Sequence, residues 1–185
     1  RGSTMRRITT LIIALTLAII FLLTDEALSL KILCNNAPAP AGPVKYHNMQ
    51  VAPLFRYHVS GDHFYTANWN ELKGCNFERV IGYVFAAKQP GTVALHRIYA
   101  RTPVGNHLYS VRPTEVNSLS ARPEWKYEGI TGYVYTSAQP GSVPLHRLYH
   151  TRPNHLYSTR QTEVDILRKR PGWKYERVIG HVIKK

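Results

Sequence analysis

The chain has only two cysteines, Cys34 and Cys75, among 185 residues. That excludes a disulfide-dense miniprotein and a four-cysteine zinc site. Acidic residues are scarce as well: 11 Asp and Glu stand against 24 Lys and Arg, a formal charge of +13. Two Met and five Phe are few beside 12 Tyr, a balance common in small β proteins and binding surfaces. No Asn-x-Ser/Thr sequon occurs, so N-glycosylation is not expected. Gly-x-Ser-x-Gly, a Gly-rich phosphate loop and His-Glu-x-x-His are also missing, so the motif-borne hydrolase, nucleotide and zinc-protease chemistries find no support. The nine His, of which His146 and His150 are the closest pair, match no standard metal spacing, and neither metal nor cofactor is expected. What is present is a 44% apolar share, enough for a core and against wholesale disorder.

Long apolar runs are confined to the beginning. Met5-Arg6-Arg7 is followed by Ile8 to Leu23, apolar except at Thr9, Thr10 and Thr16, and then by Ala27-Leu28-Ser29. A positive start, a short apolar stretch and small residues at the −3 and −1 positions form the pattern of a secretory signal peptide. The alternative, a membrane anchor, needs roughly 20 apolar residues, and Leu11 to Leu23 is 13. Arg1 to Thr4, ahead of Met5, read as a cloning remnant. The expected organisation is therefore remnant plus signal peptide over 1–29, an N-terminal extension over 30–50 and a β domain over 51–185. Secretion, with no membrane span, is the expected destination. An oxidising compartment favours a Cys34–Cys75 bridge. It would close a loop of about 40 residues, worth roughly 3–4 kcal/mol in the chain-entropy model.

The domain is one unit written three times, over 51–92, 93–142 and 143–185. Each opens with a short alternating strand: Leu54-Phe55-Arg56-Tyr57, Leu95-His96-Arg97-Ile98 and Leu145-His146-Arg147-Leu148. Each continues with a His-x-Tyr block: Asp62-His63-Phe64-Tyr65-Thr66, Asn106-His107-Leu108-Tyr109-Ser110 and Asn154-His155-Leu156-Tyr157-Ser158. Each closes with an aromatic-Glu…Gly block: Phe77-Glu78 to Val84, Tyr127-Glu128 to Val134 and Tyr175-Glu176 to Val182. Gln89-Pro90-Gly91 and Gln139-Pro140-Gly141 are the joining turns. Val116 with Leu119, and Val164 with Leu167, predict one short helix per unit, each stopping before a proline. Gly82 and Gly132 mark bulges inside the closing strands. A unit this small cannot bury its apolar face alone, whereas three copies about a common axis can. The fold expected is mainly β with pseudo-threefold repetition, β-trefoil-like or three-sheet prism-like. The strand near Val51 is placed to pair with the C-terminus and close the ring.

The blocks Asp62-His63-Phe64-Tyr65-Thr66 and Glu128-Gly129-Ile130-Thr131-Gly132-Tyr133-Val134 resemble a family of secreted triple-repeat domains. That family carries D-H-F-Y-T and E-G-x-x-G-Y-V motifs and occurs in extracellular fungal, bacterial and animal proteins, often beside carbohydrate-active or cell-wall modules. The resemblance spans about Ala52 to Ile183 and implies an extracellular, lectin-like ligand-binding domain. Unit three departs from it with His181 in place of Tyr and Pro153 in place of Gly.

Alternation sorts the repeated residues by face. His63 and Tyr65, His107 and Tyr109, His155 and Tyr157 share a face, with Asp62, Asn106 and Asn154 at the strand starts. An amide or carboxylate, an imidazole and a phenol ring suit a sugar: the polar groups bond hydroxyls and the ring stacks on C–H faces. These nine residues are the expected ligand site, presented outward. The competing reading packs the rings against the next repeat. Arg56, Arg97 and Arg147 recur on a core-side face and want partners, for which Glu78, Glu128 and Glu176 are the candidates. Glu71, Glu115 and Glu163 fall where helices start and read as dipole-capping residues. Carboxylates that come in threes argue for structure, so no catalytic residue is assigned. Unit three has ten basic against three acidic residues. Within it Arg168, Lys169, Arg170, Lys174 and Arg177 form the expected anionic-surface site. The partners expected are glycans or anionic cell-surface molecules, and not intracellular nucleic acid. The function expected is noncatalytic carbohydrate binding, with cationic host defence or adhesion as the alternative.

Overall fold

The computed structural model describes residues 42–72, 76–101 and 105–184. The expected signal peptide and both cysteines lie outside these residues. The protein is mainly β, with ten strands in one antiparallel sheet and two short helices among the described residues. A leading strand β1 (Val44–Tyr46) pairs with β2. Unit one then contributes β2 (Met49–Val59), β3 (Asp62–Thr66) and β4 (Phe77–Phe85). Unit two gives β5 (Thr92–Ala100), β6 (Asn106–Ser110), helix α1 (Pro113–Ser120) and β7 (Trp125–Tyr135). Unit three gives β8 (Ser142–His150), β9 (Asn154–Ser158), helix α2 (Gln161–Arg168) and β10 (Trp173–Ile183).

Every unit has the same order across its strands. The opening strand lies in the middle, with the short strand on one side and the closing strand on the other. Pro113 sits in the first turn of α1, where its fixed φ is already helical and its missing N–H costs nothing. Val164 and Leu167 of α2 are buried against Leu148 and Leu156, as their spacing requires. The described residues of unit one hold a 3-10 turn in its place, Trp69–Glu71, whose start is capped by the Asn68 side chain accepting from the Asn70 N–H at 3.1 Å.

The closing strands are bulged twice each. Opposite β2, β5 and β8 the extra residues are Ile81, Thr131 and Ile179, one position before each glycine, and Glu78, Glu128 and Glu176. A bulge re-aims the side chain it carries, and these three Glu are turned toward the repeated Arg.

The units meet through contacts that recur at all three boundaries. Phe85 pairs with Tyr133, His181 with Tyr135, and Ile183 with Tyr83, joining β4, β7 and β10 to one another. A Cβ on Gly132 would stand 2.5 Å from Val84 Cγ2, one on Gly180 2.6 Å from Val134 Cγ2, and one on Gly82 2.5 Å from Val182 Cγ2. Glycine is required there because a neighbouring unit's valine occupies the space. Val51 differs from expectation: it pairs with Phe85 of its own unit and with Val44 of β1. β4 and β7 take the C-terminal strand instead. The central core draws equally on all units, with Leu54, Leu95 and Leu145 around Tyr65, Tyr109 and Tyr157.

Candidate functional site

The short strands β3, β6 and β9 meet at the centre. Tyr65, Tyr109 and Tyr157 are each 1% exposed, and their rings stand edge to face with centroids 5.2–5.3 Å apart. The Tyr109 hydroxyl donates to the Tyr65 carbonyl at 2.6 Å and accepts from the Tyr65 N–H at 2.8 Å. Tyr157 does the same for Tyr109 at 2.9 and 2.7 Å, and Tyr65 for Tyr157 at 3.0 and 2.7 Å. A short strand would otherwise present unpaired backbone groups to an apolar interior; the neighbour's phenol satisfies them. Burial holds all three hydroxyls well above their ordinary pKa, so they remain protonated donors.

The Asp/Asn and His residues make a second ring, in which each Asp or Asn reaches the following unit while each phenol reaches the preceding one. Asp62 accepts the backbone N–H of His107 at 3.2 Å and faces its Nδ1 at 2.5 Å. Asn106 Oδ1 accepts the backbone N–H of His155 at 3.2 Å and meets its Nδ1 at 3.1 Å. Asn154 Oδ1 meets His63 Nδ1 at 3.2 Å, and its amide donates to the Gly61 carbonyl at 2.7 Å. Burial lowers His155 to about 4, with Arg147 adding to the effect, and burial also lowers His63 despite the bond from Asn154. Asp62, Asn106, His63 and His155 are buried.

The outward presentation expected of these nine residues is corrected for seven of them, which are buried, while His107 and Asn154 are partly exposed. The phenols point inward, because both faces of each short strand are covered by protein. Alternation told which side chains share a face, and the face turned out to be the interior one.

A third ring surrounds these two. Arg56 Nε donates to Glu78 at 2.6 Å, and its terminal nitrogens form a fork with Glu163 at 3.0 Å each. Arg97 contacts Glu128 at 3.0 Å within its unit and forks to Glu71 at 2.6 and 3.2 Å in the preceding one. Arg147 contacts Glu176 at 2.7 Å and forks to Glu115 at 3.0 Å. Thr66, Ser110 and Ser158 donate to the same Glu71, Glu115 and Glu163. Glu71, Glu115 and Glu163 are therefore the inter-unit partners of the arginines. The capping role read from sequence left this out, since the partner comes from a distant part of the chain. Burial raises the Glu115 pKa, but the Arg147 and Ser110 bonds and the Arg147 charge outweigh it and bring the group down to about 2. Pairs of this kind add little net stability over an apolar replacement, whereas removing one partner strands a charge in the interior.

Beside each Arg–Glu cluster the loop after one unit's short strand faces the next unit's closing strand. At the boundary between units three and one, Thr159 donates to the Ile81 carbonyl at 2.7 Å, beside Arg79 and Arg160. The corresponding residues at the boundary between units two and three are Val111, Ile179, Arg177 and Arg112. Between units one and two the same positions hold Ala67, Thr131, Gly129 and Asn68. Losing two guanidinium groups and several methyls there leaves a groove of about 600 Å³. Gly129 has φ +116° and nothing within 4 Å of its Cβ direction, so it opens the groove and admits no larger residue without strain. Asn68, Glu71, Arg97 and Glu128 supply polar groups, and Tyr133 and the half-exposed Ile130 supply apolar surface. Thr131 also lines the groove, but its Oγ1 is buried and has no hydrogen-bond partner among the described residues. The groove went unseen from sequence, though the signal was there: Glu128-Gly129 where the other units read Glu78-Arg79 and Glu176-Arg177.

The anionic-surface residues of unit three are divided. Arg168 lies over the Tyr175 ring at 5.0 Å. Arg170 faces unit one, Arg177 acts on Glu115 of unit two, and Lys169 and Lys174 are exposed. Among the described residues no cluster of three His, Cys, Asp or Glu could hold a metal, and no helix is long and apolar enough to cross a membrane.

A family model described as a domain of unknown function (DUF5648) matches residues 53–183. Among curated proteins and solved structures, none matches the chain.

Proposed function

The chain belongs to the DUF5648 family, and we propose that it is a secreted, noncatalytic carbohydrate-binding protein whose site is the groove between units one and two. The observation that carries this reading is the asymmetry of that boundary: where the other two hold arginine, this one holds Gly129 and Asn68 and is open. Ligand sites are concave, with a few convergent polar groups on an apolar surface. Here a guanidinium, two carboxylates and an amide converge beside Tyr133 and Ile130, a set suited to a polyol with one apolar face. The site is single, in place of three equivalent ones. The recurring phenol, imidazole and Arg–Glu contacts support a three-sheet, prism-like body as the scaffold; each unit keeps its own three-stranded set, which favours a prism over a trefoil. The signal-peptide pattern supports secretion.

Two carboxylates in a groove raise the question of glycoside hydrolysis. That chemistry needs one carboxyl with a raised pKa to act as acid. Burial pushes Glu71 up, but Arg97 and Thr66 hold it below its ordinary value. Glu71 and Glu128 both face Arg97, as their counterparts in the other units face Arg56 and Arg147. The pair therefore reads as structural. A glycan array on the protein tests the proposal: binding that survives high salt and is competed by free sugar supports it, and an array without salt-resistant signal overturns it.

A further inference from the structure

The two boundaries that keep their arginines have a chemistry of their own. Between units three and one, a cleft of about 310 Å³ separates the side of α2 from β4, lined by Arg79, Arg160, Arg170, Thr162 and Ile166. None of the three arginines has an ion-pair partner among the described residues. The carboxylate at the cleft, Glu163, is already engaged by the Arg56 fork and the Ser158 hydroxyl. Asp165, on the same helix, accepts from Gln161 at 2.8 Å. The cleft thus gathers three guanidinium groups that form no ion pair among the described residues, on two different units, against the single, already engaged Glu163 carboxylate, with one hydroxyl beside them. Three like charges against one carboxylate leave an excess of positive charge, and a guanidinium fork matches the oxygens of a tetrahedral anion.

The boundary between units two and three repeats the composition. Arg177, Arg112 and Arg122 occupy the positions of Arg79, Arg160 and Arg170. Arg177 lies close enough to lower Glu115, as Arg79 does Glu163. The boundary between units one and two has none of the three.

We propose that the cleft between units three and one, and the boundary between units two and three that repeats its arginines, each bind a sulfate or phosphate monoester, held between one unit's arginines at the helix and the next unit's arginine on its closing strand. The inference goes beyond the neutral groove and does not depend on it. It also replaces a diffuse basic patch on unit three with two defined sites that each need residues from two units.

The test is calorimetric titration with a heparin-derived tetrasaccharide and, separately, with tripolyphosphate; the tighter of the two identifies the source of the anion. Two sites per chain are expected. Arg79→Gln with Arg160→Gln should leave one, and adding Arg112→Gln with Arg177→Gln should leave none. Each single neutralisation should weaken its own site about tenfold, the scale of one charge-assisted hydrogen bond. Lys169→Gln with Lys174→Gln removes the same charge outside the clefts and should change affinity less than threefold. All these side chains are at least partly exposed, and a thermal melt checks that each variant is folded. Equal losses from the cleft pair and the lysine pair, or binding of neither probe, would overturn the proposal, whatever the groove between units one and two does with neutral sugars.

Discussion

Replacing Tyr109 by Phe removes one oxygen and almost no volume, so the packing of the three rings survives and only hydrogen bonds are lost. That oxygen serves both the N–H and the C=O of Tyr65. With the hydroxyl gone, both backbone groups are left in an interior where Tyr65 is 1% exposed. An orphaned buried polar group costs about 1–3 kcal/mol. Two of them, partly relaxed, predict a loss of about 2–4 kcal/mol, a large fraction of an ordinary domain's stability. Because the contact recurs, Tyr65→Phe and Tyr157→Phe should cost the same within about 1 kcal/mol. The assay is urea unfolding followed by fluorescence and far-ultraviolet circular dichroism, with equal m values required for the comparison. Tyr57→Phe is the matched control. Its side chain is also fully buried, yet its hydroxyl has no partner among the described residues, so its removal should be neutral or stabilising. If Tyr109→Phe costs less than about 0.5 kcal/mol, well under the cost of one buried orphan, the phenols do not tie the units together.

Other perturbations follow from the same contacts. Gly132→Ala should destabilise by about 1–3 kcal/mol, since its Cβ would sit 2.5 Å from Val84 Cγ2; a shifted urea midpoint is the readout. His155 has a folded pKa of about 4 against 6.5 unfolded, so the unfolded chain takes up the proton first as pH falls. Stability should drop between about pH 6.5 and 4 by on the order of 3 kcal/mol, and a His155→Gln variant should show a flatter profile there. Glu115 has the opposite ordering in charge, ionised when folded and depressed to about 2. Its contribution should be intact above about pH 4.5 and vanish as pH falls toward 2, a loss absent from Glu115→Gln. His63→Ala and His155→Ala should reduce stability while leaving sugar binding unchanged in whatever fraction remains folded, which a binding titration at low temperature can read.

The repeats, the two helices and the bulged closing strands were legible because each is local: spacing, a proline and a glycine within a few residues of the effect. The direction of the His-Tyr face was not. Period-2 alternation puts His63 and Tyr65 together but is silent on which face is covered once three units close on one another. The Arg–Glu forks show the same limit. Glu78, Glu128 and Glu176 could be named as partners because they recur in the same unit, while Glu71, Glu115 and Glu163 reach arginines of the neighbouring unit. The groove was legible only through departure from the pattern. Reading the three copies for what they share leads to the scaffold; reading them for where one differs, at Gly129, Asn68 and Thr131, leads to the groove.

The most direct measurement is therefore a titration of the best sugar from an array against the native chain and against Asn68→Arg with Thr131→Ile. Both replacements are the residues that unit three carries at those positions, so they close the groove with side chains the scaffold already accommodates. One site per chain in the native protein, lost in the variant at unchanged melting temperature, is the result predicted. Undiminished binding by the variant, or three sites per chain, would contradict the assignment.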